Sequence, residues 1–224
     1  MIKTWMTPWL LMAVPFLGAA LSLLLRTSLQ RMKTSALLTT VASMLVVIGT
    51  PWALGDTLAG VPFLCLLPLT AFLSLLGQPL HRDNTSAWTT TLVLLGLGLG
   101  ILTAQAPAHD VMLLILPGLL CILLYRYQSG ATPETWRGLS AYGLSMMSAA
   151  LALLLPTPAS TVALLVTCAT LLPLLPVHSG FIATLTGLPG NLPAFLVFLL
   201  PTVGFHTLLM LLPNLTGTTL HTVA

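Results

Sequence analysis

Charge is what this chain has least of. Only 5% of its 224 residues are charged, seven basic and four acidic, where a soluble domain carries about a quarter. With 57% hydrophobic residues and a mean hydropathy of +1.03, the deficit excludes a water-soluble globular domain and implies an integral membrane protein. The net charge of +3 rests on too few cations to hold a polyanion, and nearly all of them fall between apolar runs, so no nucleic-acid partner is expected. The acidic residues, Asp56, Asp83, Asp110 and Glu134, each fall at the end of a run or in a connection. That placement is what a cost of about 2.5–3.5 kcal/mol for a charge at the bilayer centre enforces. Cysteine is also scarce. Cys65, Cys121 and Cys168 sit in separate apolar runs with no C-x-x-C pair and no histidine at ligand spacing, which reads as packing and leaves no metal or cofactor expected. No Ser-His-Asp or paired-carboxylate constellation can be assembled, so the chain is not expected to be an enzyme.

Proline and glycine are not scarce, at seventeen each, but both are tolerated in membrane helices because neighbours re-satisfy the freed backbone groups. A helix needs about 20 residues to cross roughly 30 Å of hydrocarbon. Eight runs qualify as spans, approximately Pro8 to Leu25, Ser35 to Leu54, Val61 to Gly77, Ala87 to Ala104, Asp110 to Tyr125, Arg137 to Leu155, Thr161 to Pro176 and Leu192 to Leu212. The opening stretch has the outline of a signal peptide around Lys3, but Arg26, Arg31 and Lys33 follow at once, the mark of a retained first span with a positive flank. The connections are short, so successive spans are antiparallel. Arg26, Arg31, Lys33, Arg82, Arg126 and Arg137 then share one side and only Lys3 lies on the other. Cytoplasmic loops collect Lys and Arg, so both termini are expected on the periplasmic side of a bacterial inner membrane.

Among smaller signals, Gly96 and Gly100 in "LLGLGLGIL" form a G-x-x-x-G pair that lets membrane helices approach closely, against a helix of the same chain or of another subunit. Arg126 and Arg137, with Glu134 between them, bracket a cytoplasmic connection and are candidate subunit contacts. His109 and Asp110 stand together at the outer end of span five, where a solvated face is expected, as for His81 with Arg82 and Asp83 on the other side. Asn214-Leu215-Thr216 matches a glycosylation acceptor but lies against the membrane, and His221 belongs to the tail.

One stretch breaks the aliphatic monotony. "LLPLLPVHSGF", Leu171 to Phe181, carries Pro173, Pro176 and His178, with Pro189 eleven residues beyond the histidine. The order Pro-x-x-Pro-x-His before another long apolar run resembles the proton-translocating antiporter-like subunits of complex I and their relatives in Mrp antiporters, membrane hydrogenases and inorganic-carbon transporters. In that family a discontinuous seventh helix ends in Lys-x-Pro-x-x-Pro-x-His. The resemblance implies an all-α, polytopic transmembrane helix bundle of about eight helices with a broken seventh helix. It also implies one membrane domain over 1–224, made of a leading three-helix segment (1–86) and a five-helix, first-repeat-like segment (87–224).

The departures are chemical. The family's helix-seven lysine falls on Leu171, its helix-five glutamate on Pro117 and Gly118, and its helix-eight lysine or histidine near Pro201 and Thr202, one turn before His206. The tryptophan and acidic residue after the histidine become Gly180 and Ala183, and the second, inverted repeat of the family is not in this sequence. A proton relay needs groups that hold and release charge near the midplane. The expectation is therefore a truncated, non-catalytic accessory or scaffold subunit, packed among lipids against a full-length antiporter-like subunit of an ion-translocating complex. In this reading Pro173 and Pro176 break the helix and His178 bonds the freed carbonyls. The alternative is an active proton or cation path in which His178 and His206 replace the lost lysines.

Overall fold

The computed structural model describes residues 2–54, 61–127, 133–174 and 178–215. Asp56, Pro176, Thr216 and His221 lie outside them, as do the side chains of Lys3, Asp83, Glu134 and Asn214. Every regular element among the described residues is helical: α1 (Ile2–Leu24), α2 (Leu29–Leu54), α3 (Val61–Leu76), a 3-10 turn (Arg82–Asn84), α4 (Thr85–Thr103), α5 (Ala108–Tyr127), α6 (Pro133–Leu154), α7 (Ala159–Leu171), α8 (Ser179–Gly187) and α9 (Leu192–Leu215). This follows from composition, because a backbone without water must bond itself and a helix does so within one segment.

The eight expected runs correspond to α1–α7 and α9, but they do not all have the dimensions of a span. Among the described residues four helices are long and apolar enough to cross a membrane, Leu29–Thr50, Thr85–Thr103, Ala108–Tyr127 and Leu192–Pro213. At 1.5 Å per residue the 13-residue α7 reaches only about 20 Å and the 16-residue α3 about 24 Å, short of the hydrocarbon thickness. α6 has the length, yet Arg137, Ser140, Ser145 and Ser148 dilute its apolar character. These features fit a multi-pass membrane protein. α8 lies in a stretch expected to be a connection.

The chain divides into two compact units, one of residues 1–105 with 189–199, the other of residues 106–188 with 200–224. In the first, α1 packs on α2 and α4, α2 on α3 and α4, and α3 on α4. Trp88, Leu92, Leu75, Met32, Ala19 and Ala36 form its buried centre. Small residues set the approach distances. A Cβ at Gly18 would collide with Thr39 of α2, and one at Gly96 would stand 3.3 Å from the Phe16 ring and 3.4 Å from the Met12 carbonyl of α1. The G-x-x-x-G face is thus occupied from within the chain at Gly96, and Gly100 is likewise buried. Lys33 of α2 donates to the carbonyls of Leu76 (3.2 Å) and Gln78, at the C-terminal end of α3 where a cation is favoured. This contact puts the start of α2 beside the end of α3, as antiparallel neighbours require.

The first unit is closed by a segment from far along the sequence. Gly190 adopts φ +66°, a left-handed conformation open to glycine, and a Cβ there would meet Ala87 and Asn84, each at 3.1 Å. The turn delivers Asn191, fully buried, whose amide donates to Thr91 Oγ1 at 2.7 Å and Ser74 Oγ at 3.3 Å. The first residues of α9 continue the closure, with Leu199 and Leu67 lying over Gly98.

In the second unit α6 is central, packing on α5, α7 and α8. Gly138 of α6 admits Ala183 of α8, and Gly180 of α8 lies against Ala141 and the fully buried Tyr142. Ser148 of α6 and Thr167 of α7 share a hydrogen bond of 2.8 Å in the interior. α7 stops where the sequence says it must. Leu172 precedes Pro173, and the residue before proline is driven from the helical region; it is extended, with ψ 145°, while its N–H still bonds Cys168 O at 2.9 Å. The next helix, α8, begins at Ser179.

Candidate functional site

The interior of both units is polar in one manner. Among the described residues, the buried polar side chains apart from His109 and Asn191 are serines and threonines. Most bond a carbonyl three or four residues back on their own helix, as Ser22 does to Ala19, Thr39 to Ser35, Ser43 to Thr39, Thr91 to Ala87 and Thr170 to Thr167. Such hydroxyls are satisfied locally and carry no charge.

One cluster in the second unit differs. His109, in the first turn of α5, is 4% exposed. Its Nδ1 lies 2.9 Å from Asp110 Oδ1, and its Nε2 lies 3.3 Å from Thr207 Oγ1 of α9. The next ring is His206, with centroids 6.2 Å apart and planes inclined by 53°. His206 Nε2 is buried without a partner. The solvated face expected for His109 and Asp110 is therefore not found, because α9 covers the imidazole. Asp110 keeps partial access, at 19% for its side chain, and its charge suits the N-terminal end of α5.

Proton counting gives this cluster its chemistry. Thr207 Oγ1 is also 3.0 Å from the Val203 carbonyl, and a hydroxyl has one hydrogen to give. If Thr207 donates to Val203, its oxygen accepts from His109 Nε2–H, and His109 carries hydrogens on both nitrogens against the Asp110 carboxylate. If Thr207 donates to Nε2, His109 is neutral and donates only through Nδ1. The two arrangements differ in the direction of the Thr207 hydroxyl and by one hydrogen on His109. Among the described residues no three His, Cys, Asp or Glu side chains are grouped to hold a metal ion.

The other candidates stand apart. His178 directly precedes α8, half-buried, and its Nδ1 has no partner, so the expected bond to a freed carbonyl is not made at that atom. No hydrogen bond or ring contact joins His178 to His206. Pro173 is exposed immediately after α7, and Pro176 lies outside the described residues. Arg126, in the last turn of α5, and Arg137 of α6 are both exposed. The three cysteines are free thiols. The residue that local reading missed is His109, whose cover comes from Thr207, 98 positions away. No family model, curated protein or solved structure matches the chain.

Proposed function

We propose that this chain is a non-catalytic accessory subunit of an ion-translocating complex of the bacterial inner membrane, docked laterally on a full-length antiporter-like subunit, with both termini on the periplasmic side. The observation that carries this reading is an interior whose buried polar side chains are mostly hydroxyls bonded to their own helices. A buried serine or threonine that gives its hydrogen to its own helix carries no charge for a travelling ion to pair with. On the outside, α6 presents Leu144, Met147, Leu151 and Leu154 at 47–81% exposure, a surface suited to lipid or to another apolar helix. On this reading α1–α7 and α9 supply the eight spans, with the short α3 and α7 crossing part of the hydrocarbon. Isolation in mild detergent tests it. The chain should travel with a larger membrane subunit at fixed stoichiometry, and recovery as a stable lone monomer would count against it.

A second reading is favoured by the buried His109 beside the half-buried His206: a proton path in which the partner of His206 is His109, and His178 stands apart. His109→Ala, His206→Ala and His178→Ala in proteoliposomes separate the two. Proton flux that collapses in the first two variants alone supports a path through the pair, and flux unchanged in all three removes it.

A further inference from the structure

The first unit carries a basic cleft that neither reading uses. It opens at the end of the bundle formed by the turn after α1 and the link before α4, and it is lined by Arg26, Thr27, Leu29, Arg82 and Thr85. Two features set it apart from ordinary surface charge. The guanidinium groups of Arg26 and Arg82 come from chain segments 56 residues apart and have no hydrogen-bond or ion-pair partner among the described residues. Lys33, the nearby cation of the same unit, is by contrast committed to the carbonyls that end α3. Thr85 is the first residue of α4, and Asn84 at its N-cap makes no side-chain cap bond, so the positive end of a 19-residue helix adds to the field in the cleft.

The ligand chemistry follows from the donors. Two guanidinium forks match the geometry of phosphate oxygens and the Thr27 hydroxyl lines the same wall, while the Thr85 hydroxyl gives its hydrogen to the Arg82 carbonyl. Leu29 supplies an apolar wall, and Leu23, Leu24 and Leu80, at 53–79% exposure, flank the same end of the unit. Helix ends bearing arginines above exposed leucines belong at the boundary between hydrocarbon and water, where lipid phosphates lie. We propose that the Arg26–Arg82 cleft binds a phosphate oxyanion, that of an anionic glycerophospholipid headgroup.

The test uses the full chain, purified in non-ionic detergent and stripped of lipid, with binding read by native mass spectrometry and by titration. Phosphatidylglycerol should bind at least about tenfold more tightly than zwitterionic phosphatidylcholine. Arg26→Gln/Arg82→Gln should lose at least about tenfold in that affinity, as expected when charge-assisted contacts are removed. Arg31→Gln, outside the cleft, should not. Inorganic phosphate at millimolar concentration should fail to displace the lipid, whereas full displacement would assign the cleft to free phosphate and overturn the lipid source. Equal binding of the two lipids, or an unchanged affinity in the double variant, overturns the site. Should the double variant not fold, the comparison of the two lipids on the unaltered chain and the two single variants decide in the same way.

Discussion

Two glycines of α6 make a matched pair for testing how its neighbours pack. A methyl group at Gly138 would overlap the Cβ of Ala183 on α8, and it would stand 3.4 Å from Leu124 Cδ1. Ala183 is 1% exposed and has no rotamer through which to withdraw. Since carbon atoms rest about 3.5–4.0 Å apart, α6 and α8 must separate by about 1 Å to admit the methyl. Overpacking of this kind costs about 1–3 kcal/mol, and alanine returns about 1 kcal/mol through its helix preference, leaving Gly138→Ala destabilising by up to about 2 kcal/mol. Gly143 lies five residues on, within the same helix, and a Cβ there meets nothing within 4 Å. Gly143→Ala should therefore gain about 0.5–1 kcal/mol with no packing penalty. At about 2–4 °C per kcal/mol for a chain of this size, the two variants should bracket the unaltered protein in thermal unfolding followed by tryptophan fluorescence in detergent. A Gly138→Ala variant that melts at or above Gly143→Ala would refute the close contact of α6 with α8.

Two further substitutions probe the buried polar groups. Asn191→Leu should lie within about 1 kcal/mol of the unaltered chain in the same melt. Thr91 and Ser74 already give their hydrogens to Ala87 and Ala71, so neither is orphaned, and the buried Asn191 Oδ1, which has no partner, is removed. A loss above about 2 kcal/mol would show that the amide does more than these bonds record. For Ser148 and Thr167, a double-mutant cycle with alanine should return a coupling of about 0.6 kcal/mol, and no more than about 1.7, the range for hydrogen bonds between membrane helices. A coupling indistinguishable from zero would mean that the 2.8 Å contact does not persist in detergent.

The helical class and the approximate limits of eight helices were legible because hydrophobic continuity is a local property. α2 and α6 begin several residues before their apolar runs, at Leu29 and Pro133, since polar residues such as Gln30 and Arg31 extend a helix whose core is already fixed by burial. α8 was not legible. Nine residues flanked by Pro173 and Pro189 are too few to show a period, and the helix is held by Gly138, Ala141 and Tyr142 of α6, about 40 residues earlier. The same distance effect hid the polar cluster. His109 beside Asp110 reads locally as an exposed pair, and only the arrival of Thr207 and His206 turns it into an enclosed one. Asn191, in a Pro-Gly-Asn turn, likewise declares no destination until Thr91 and Ser74 are placed around it. Apolar sequences write their helices plainly because lipid and protein interior select the same residues. They write partners faintly for that same reason.

The return of residues 189–199 to the first unit sets an order on synthesis. By the time Gln105 leaves the ribosome all four helices of that unit exist, yet Leu199 is still missing from its place over Gly98 and Asn191 from its place beside Thr91. At about 5–20 residues per second, elongation needs roughly 5–20 s to supply them. Over that interval the insertion machinery holds an unfinished bundle with an open seam, which the start of α9 closes.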